Sequence, residues 1–210
     1  MSLQRQSRYW TSTSAYRAVP DSFAVFLVRH LDRRVTLSDE QISALDRHYQ
    51  LLVKWNRVLN LTSIRDTEEA VVRHYCECLF FALLLPATGR VLDLGSGAGF
   101  PGVPVAILRP EMRVTLLESH QRKAVFLREA ARELTNVNVV PKRAEDTTGD
   151  WDLVVSRAVD PQEVLRQAPR LAPRVGMLVG GADSLLFEER TKLPWGDDRW
   201  AAFRMFHVER

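Results

Sequence analysis

Residues 91–102 read Val-Leu-Asp-Leu-Gly-Ser-Gly-Ala-Gly-Phe-Pro-Gly. An apolar run meets an acid, Asp93, and then passes through Gly95, Gly97 and Gly99 to Phe100, Pro101 and Gly102. A turn of this composition lets backbone approach a ligand with no Cβ in between. Pro101 suits the first turn of a following helix. A strand, a glycine turn and a helix N-terminus in this order build a nucleotide-cofactor site. Three further groups with useful chemistry follow at the ends of later apolar runs: Glu118, Glu145 and Arg157.

The cofactor is read from the acids around the turn. Gly97-x-Gly99-x-x-Gly102 also satisfies a dinucleotide pattern. Asp93, however, precedes the first glycine, where an anion suits the ammonium of a methionine moiety and gives a pyrophosphate no help. Glu118 is placed to accept hydrogen bonds from both hydroxyls of a ribose, each worth roughly 1.5–3 kcal/mol, which serves NAD and S-adenosylmethionine equally. Together they predict S-adenosyl-L-methionine (product S-adenosyl-L-homocysteine) bound by Asp93, Gly95, Gly97, Gly99 and Glu118. A nicotinamide oxidoreductase is the last-ranked alternative.

The acceptor is approached by elimination. The segment after the fourth apolar run is Ser156-Arg157-Ala158-Val159-Asp160-Pro161. It lacks the Asn/Asp-Pro-Pro-aromatic tetrad that polarises exocyclic amines. The second half of the chain also lacks a cysteine, the nucleophile needed for methylating pyrimidine carbon. An acceptor with a ready lone pair, such as guanine N7, needs no general base and is served mainly by positioning. Arg157 is the candidate positioning cation, contacting cofactor, base or phosphate. The competing reading pairs it with Asp152 or Asp160. Arg65, Arg73, His74, Arg122 and Lys123 are candidate RNA contacts, although a solvated helix face accounts equally well for the last two.

These residues need a scaffold. Phe23, Phe26, Leu27 and Leu31 recur at helical spacing, and Ser38 with Gln41 forms a capping-box pattern ahead of Ile42, Leu45, Tyr49, Leu52 and Leu59. A further helix is expected from near Thr67 to before Pro86. From Arg90 the rhythm changes. Apolar runs at 90–94, 113–117, 137–140, 151–156 and 175–179 alternate with helical stretches near 101–109, 121–134 and 161–168. This alternation predicts an α/β fold, a Rossmann-like doubly wound parallel sheet over 87–210, behind an N-terminal helical segment over 21–86. The tail reads as a helix near 184–192 and a single strand near 200–208.

The whole chain has 210 residues and a net charge of +3, a mild hint of a polyanionic partner. Its 46% hydrophobic and 26% charged residues are those of a globular domain. Two cysteines, Cys76 and Cys78, do not suggest a disulfide framework or a metal site. The longest apolar run, Leu79 to Leu85, is too short to span a bilayer. Residues 1–20 carry Arg5, Arg8 and Arg17 without an acid and read as a disordered leader. A cytoplasmic monomer without a metal is expected.

These motifs together resemble the RsmG family, also called glucose-inhibited division protein B. The stretch Lys54-Trp55-Asn56-Arg57-Val58-Leu59-Asn60-Leu61-Thr62 is similar to that family's helical signature. Arg73-His74 with Glu77-Cys78-Leu79 resembles its Arg-His…Asp-Ser-Leu segment. Gly95 to Pro104, Arg143-Ala144-Glu145 and Ser156-Arg157-Ala158 complete the resemblance. It implies a class I methyltransferase fold and methyl transfer from S-adenosyl-L-methionine to guanine N7 in 16S ribosomal RNA, met in the 30S subunit. It also implies cofactor contacts at Gly95, Phe100, Ala144, Glu145 and Arg157. The chain departs from the pattern at Glu77-Cys78 in place of Asp-Ser, at Val179-Gly180-Gly181 in place of Leu-Lys-Gly, and in its short C-terminus. A small-molecule methyltransferase and a non-catalytic RNA-binding assembly factor are the alternatives.

Overall fold

The computed structural model describes residues 22–206, so the leader expected over 1–20 lies outside the described residues. Helix α1 spans Phe23–Leu31 and starts where the Ser22 hydroxyl accepts the Val25 N–H. Helix α2 spans Asp39–Leu59, with both bonds of the Ser38–Gln41 capping box present. It buries Leu45, Tyr49 and Leu52 along one face. The third helical run starts at Thr67 but is not uniform. Helix α3, Thr67–Ala70, leads into a π-helical stretch, Val71–Cys76, and then into α4, Glu77–Leu83. The Glu77 N–H reaches back to the Val72 carbonyl. Such widened turns concentrate at functional sites, and this one carries Arg73 and His74.

The sheet has seven strands in the order β3-β2-β1-β4-β5-β7-β6. They are β1 Gly89–Leu94, β2 Met112–Leu117, β3 Val137–Val140, β4 Leu153–Arg157, β5 Arg174–Gly180, β6 Glu189–Lys192 and β7 Arg199–Met205. The first five are parallel, and β7 runs antiparallel to both β5 and β6. Helices α5 (Gly102–Leu108), α6 (Gln121–Ala130) and α7 (Pro161–Gln167) make the crossovers. Strand order reverses between β1 and β4, so the crevice at their carboxyl ends is where such a sheet binds a ligand.

The tail corrects one expectation. In place of a helix over 184–192, a single turn, α8 (Gly181–Ser184), is followed by strand β6. The stretch Glu188-Glu189-Arg190-Thr191-Lys192 has too little apolar alternation to announce a strand. It forms one because β7 offers an antiparallel edge, and its charges guard the exposed border of the sheet. The C-terminal pair is therefore complete.

The helical segment and the sheet share one core. Leu27, Leu45 and Tyr75 pack in the same cluster as Val91, Leu116, Phe126 and Phe203. A second cluster, with Leu92, Val154, Val164 and Met177, fills the other face. Trp195 donates from Nε1 to the His30 carbonyl at 3.2 Å, tying the loop between β6 and β7 to α1. Among the described residues no helix is long and apolar enough to cross a membrane.

Candidate cofactor site at the switch point

The glycine loop is built from below. The Gly95 and Ser96 N–H groups both donate to the Leu117 carbonyl at 3.0 Å, hanging the loop on the end of β2. Asp93 is fully buried under it, and Oδ2 accepts the Gly102 N–H at 3.0 Å. Oδ1 has no partner. Burial pushes this carboxyl up to about 7. A Cβ on Gly102 would lie 2.3 Å from Leu116 Cδ2 and 2.5 Å from Asp93 Oδ2. Gly102 is thus required for helix α5 to close on the sheet, and Asp93 fixes where that helix starts.

Above this floor the loop opens. Gly97 has φ +55°, and a Cβ there would meet only the Gly95 carbonyl oxygen, at 3.8 Å. Its N–H donates to Glu118 Oε2 at 3.0 Å, while Glu118 Oε1 accepts the His120 N–H at 2.7 Å. Glu118 therefore bridges the loop to the start of α6. A carboxylate has about four acceptor positions, so capacity remains for hydroxyl donors.

A cavity of about 560 Å³ stands over the loop, within the range of small-molecule sites. Gly95, Ser96, Gly97, Phe100, Glu118 and Arg157 line it, with Lys123 at one side and Thr62, Ile64 and His74 from the helical segment. A second, open cavity of about 670 Å³ lies far from this chemistry, around Arg90, Met112 and Asn136 at the amino ends of the strands.

Two histidines of the helical segment brace the loop. His48 is buried between the Ala98 carbonyl, 3.1 Å from Nε2, and the Tyr75 hydroxyl, 2.8 Å from Nδ1. A carbonyl can only accept, so Nε2 carries the proton and Tyr75 donates to Nδ1. Burial pushes this imidazole down to about 4. His74 stacks on Phe100 with ring centroids 4.7 Å apart, and its Nε2 lies 2.8 Å from Thr62 Oγ1. Burial, reinforced by the Arg157 charge, pushes it down to about 3. Both rings are neutral near pH 7.

Arg157 closes the site at the end of β4. Its partner is neither Asp152, which accepts the Arg90 N–H, nor Asp160, which caps α7 through the Gln162 N–H. Arg157 Nη2 lies 3.3 Å from Oε2 of the fully buried Glu77. Nη1 donates to the Arg73 carbonyl and sits 3.6 Å from Cys78 Sγ. Both residues that depart from the Asp-Ser pattern thus touch Arg157. Burial pushes the Cys78 thiol up to about 12, so it stays protonated and is no nucleophile. The next residue, Ala158, has φ +58°, a strained backbone at the cavity wall.

The expected site residues therefore divide. Gly95, Gly97, Phe100, Glu118, Arg157, His74 and Lys123 meet at the cavity. Asp93 lies beneath the loop, and Gly99 is buried in its turn against Val103 and His48. Ala144 and Glu145 stand outside the lining. The Ala144 carbonyl accepts from Arg170, and exposed Glu145 is 3.6 Å from Arg143. Arg65 and Arg122 are exposed and outside the lining as well, and Arg73 borders a neighbouring cavity with Arg157. Glu77 and Arg199 were missed as a pair. Glu77 was visible only as a departure from a pattern, and Arg199 carried no signal.

The comparisons with known proteins agree with this architecture. A family model described as rRNA small subunit methyltransferase G matches residues 41–178. The protein of that name from Dichelobacter nodosus is 45% identical over 127 residues, which cover 59% of this chain and 60% of that protein. The one from Chromobacterium violaceum is 38% identical over 165 residues, covering 76% and 79%. Several matched segments are partial: the one in Xanthomonas euvesicatoria spans 55% of that relative's length. Among solved structures, the Methanococcus jannaschii fibrillarin pre-rRNA processing protein superposes with a TM-score of 0.50 at 14% identity, over 61% of this chain and 74% of that one. A fibrillarin/Nop5p complex also gives 0.50, at 17% identity, over 64% and 85%. These likenesses concern the fold, that of class I S-adenosylmethionine-dependent methyltransferases. The chain belongs to the rRNA small subunit methyltransferase G family.

Proposed function

We propose that this protein transfers a methyl group from S-adenosyl-L-methionine to N7 of a guanine in small-subunit ribosomal RNA, met in the 30S subunit. The observation that carries the reading is the cavity over Gly95–Gly97, lined by both Glu118 and Arg157. Its fit to the donor is that of a cradle: at Gly97 a Cβ would have only the Gly95 carbonyl oxygen within 4 Å, and Glu118 keeps acceptor capacity beyond its two backbone bonds. When bound, the donor supplies an electrophilic methyl on sulfur.

The protein's residues then hold and orient. Glu118 accepts the ribose hydroxyls, and the turn at Gly95–Gly97 lets the backbone lie against the ligand. Asp93 sets the loop from beneath. Arg157, fixed by Glu77, presents a planar cation at the mouth, suited to a base edge or a phosphate oxygen. Guanine N7 offers its lone pair without loss of a proton, so no base is required. This agrees with two neutral, buried histidines committed to bracing and a Cys78 thiol held protonated. Lys123, Arg73 and the exposed Arg122 and Arg65 are proposed RNA contacts around this mouth. Cytoplasmic, monomeric action belongs to the same reading.

Incubation with the tritiated donor tests it. Label is expected in 16S RNA of undermethylated 30S subunits and not in a small-molecule extract. Label in the extract instead would favour a small-molecule methyltransferase. Calorimetry showing RNA binding without donor binding would favour a non-catalytic assembly factor.

A further inference from the structure

Behind Arg157 another cavity, of about 280 Å³, shares Arg157, Ala158 and Val159 with the one over the glycine loop. Its walls carry three guanidiniums: Arg157 from the end of β4, Arg73 from the π-helical turn and Arg199 from β7. All three converge on one carboxylate. Arg199 binds Glu77 with two contacts, Nε to Oε1 at 3.2 Å and Nη2 to Oε2 at 2.9 Å. Arg157 Nη2 is 3.3 Å from Oε2, and Arg73 Nε is 3.3 Å from Oε1, outside hydrogen-bonding alignment.

A single buried carboxylate does not saturate this set. Each guanidinium offers about five N–H donors, and a carboxylate accepts about four. The remaining carboxylate on the cavity, Asp183, is exposed at its rim. Counting the lining residues and Glu77, three cations stand against two anions, one of them solvated; the exposed Asp198 carboxylate stands beside Gly180 and Gly181, outside the lining. Glu77, with no exposed surface, holds the three side chains from behind. Opposite Arg199 across the β5–β7 ladder stands Gly180, which lines the cavity and where a Cβ would lie 3.8 Å from Asp198 Oδ2.

We propose that this cavity is a phosphate subsite, taking a backbone phosphodiester of the RNA strand that carries the acceptor base. The inference rests on the proposed methyl transfer to RNA. It adds a point of attachment separate from donor and base, which fixes the register of the strand against the methyl group. Arg157, shared by the two cavities, links the two subsites. Glu77 is a positioning residue that acts through the three arginines.

Two variants with opposite expected effects test this. Arg199→Gln, checked for folding by thermal melting, is expected to raise the KM for undermethylated 30S subunits by roughly 10- to 100-fold, the loss of one charge-assisted contact. Its Kd for S-adenosyl-L-methionine is expected to stay unchanged. The log–log dependence of 30S binding on salt is expected to become shallower by about 0.7–0.9. Asp183→Asn, at an exposed rim position, is expected to lower the same KM by about two- to fivefold. A folded Arg199→Gln with wild-type KM overturns the proposal, as does an equal rise in donor Kd, which would assign the cavity to the donor. If Arg199→Gln does not fold, an unchanged or raised KM for Asp183→Asn overturns it. Inhibition by inorganic phosphate at constant ionic strength, lost in Arg199→Gln while its 30S KM stays wild-type, would assign the site to free phosphate and also overturn it. Absence of methyl transfer by the wild-type protein would sink the underlying reading instead, which the wild-type control separates.

Discussion

Glu77 and Arg157 meet across the boundary between the helical segment and the sheet, Oε2 to Nη2 at 3.3 Å, with Glu77 fully buried. This contact joins the π-helical run to the carboxyl end of β4, so the helical segment helps to set the mouth of the cavity. Breaking a buried ion pair by removing one partner leaves an uncompensated charge and costs about 3–5 kcal/mol. Glu77→Ala strands three guanidiniums and is expected to show a loss of this order in denaturant unfolding. Glu77→Gln, which keeps an acceptor, is expected to lose less. Equal stability of Glu77→Ala and wild type would show that the arginines are solvated and not held.

Arg157 itself is expected to behave in the opposite way. Arg157→Gln leaves Glu77 with its two contacts to Arg199, so the fold keeps its charge compensation. Turnover is expected to fall by more than tenfold with a small change in melting temperature. A drop in stability that accounts for the whole loss of activity would make Arg157 a structural residue.

Glu118 can be separated from its loop role by comparing two variants. Glu118→Ala removes both the expected ribose acceptor and the anchors of Gly97 and His120, and should weaken donor binding by about 1.5–3 kcal/mol. Glu118→Gln retains one acceptor oxygen and should lose less. Calorimetric Kd values decide. An unchanged Kd in Glu118→Ala would remove this residue from the donor site.

Stability should depend on pH through three buried groups. His48 and His74 are held at about 4 and about 3, below their ordinary value. The unfolded chain therefore takes up their protons first, and the stability they contribute above pH 6.5 is lost as pH falls toward the folded values. Asp93, raised to about 7, acts the other way: its contribution is present at low pH and lost as pH rises through 7. Between about pH 4.5 and 6.5 two histidines outweigh one aspartate. Unfolding free energy should rise with pH by about 1.4 kcal/mol per unit near pH 5, and less steeply toward 6.5 as the unfolded histidines lose their protons. Asp93→Asn removes the opposing group and should make the rise about twice as steep. A flat profile would show that the histidines are not buried neutral.

The parts of this structure that were legible in the sequence are those set by local pattern. The Ser38–Gln41 box, the five parallel strands and the glycine turn all follow from periodicity and turn chemistry. Strand β6 was not legible, because an exposed charged edge carries no apolar signal and is specified by its neighbour β7. The same limit applies to the site. Glu118 stood out because it ends a strand beside the loop, and Asp93 because it precedes it, although burial assigns Asp93 to the floor. The Glu77–Arg199 pair joins residues far apart in the chain, and no spacing rule brings them together. The π-helical turn was equally silent, since a helix of either kind shows the same apolar residues.

The central claim is the position of the transferred methyl group. Undermethylated 30S subunits incubated with this protein and S-adenosyl-L-methionine should gain 7-methylguanosine at one site in 16S RNA, detected by chemical cleavage of the chain at N7-methylated guanine. Methyl transfer to the RNA with no new cleavage at guanine would place the group on another atom and contradict the account.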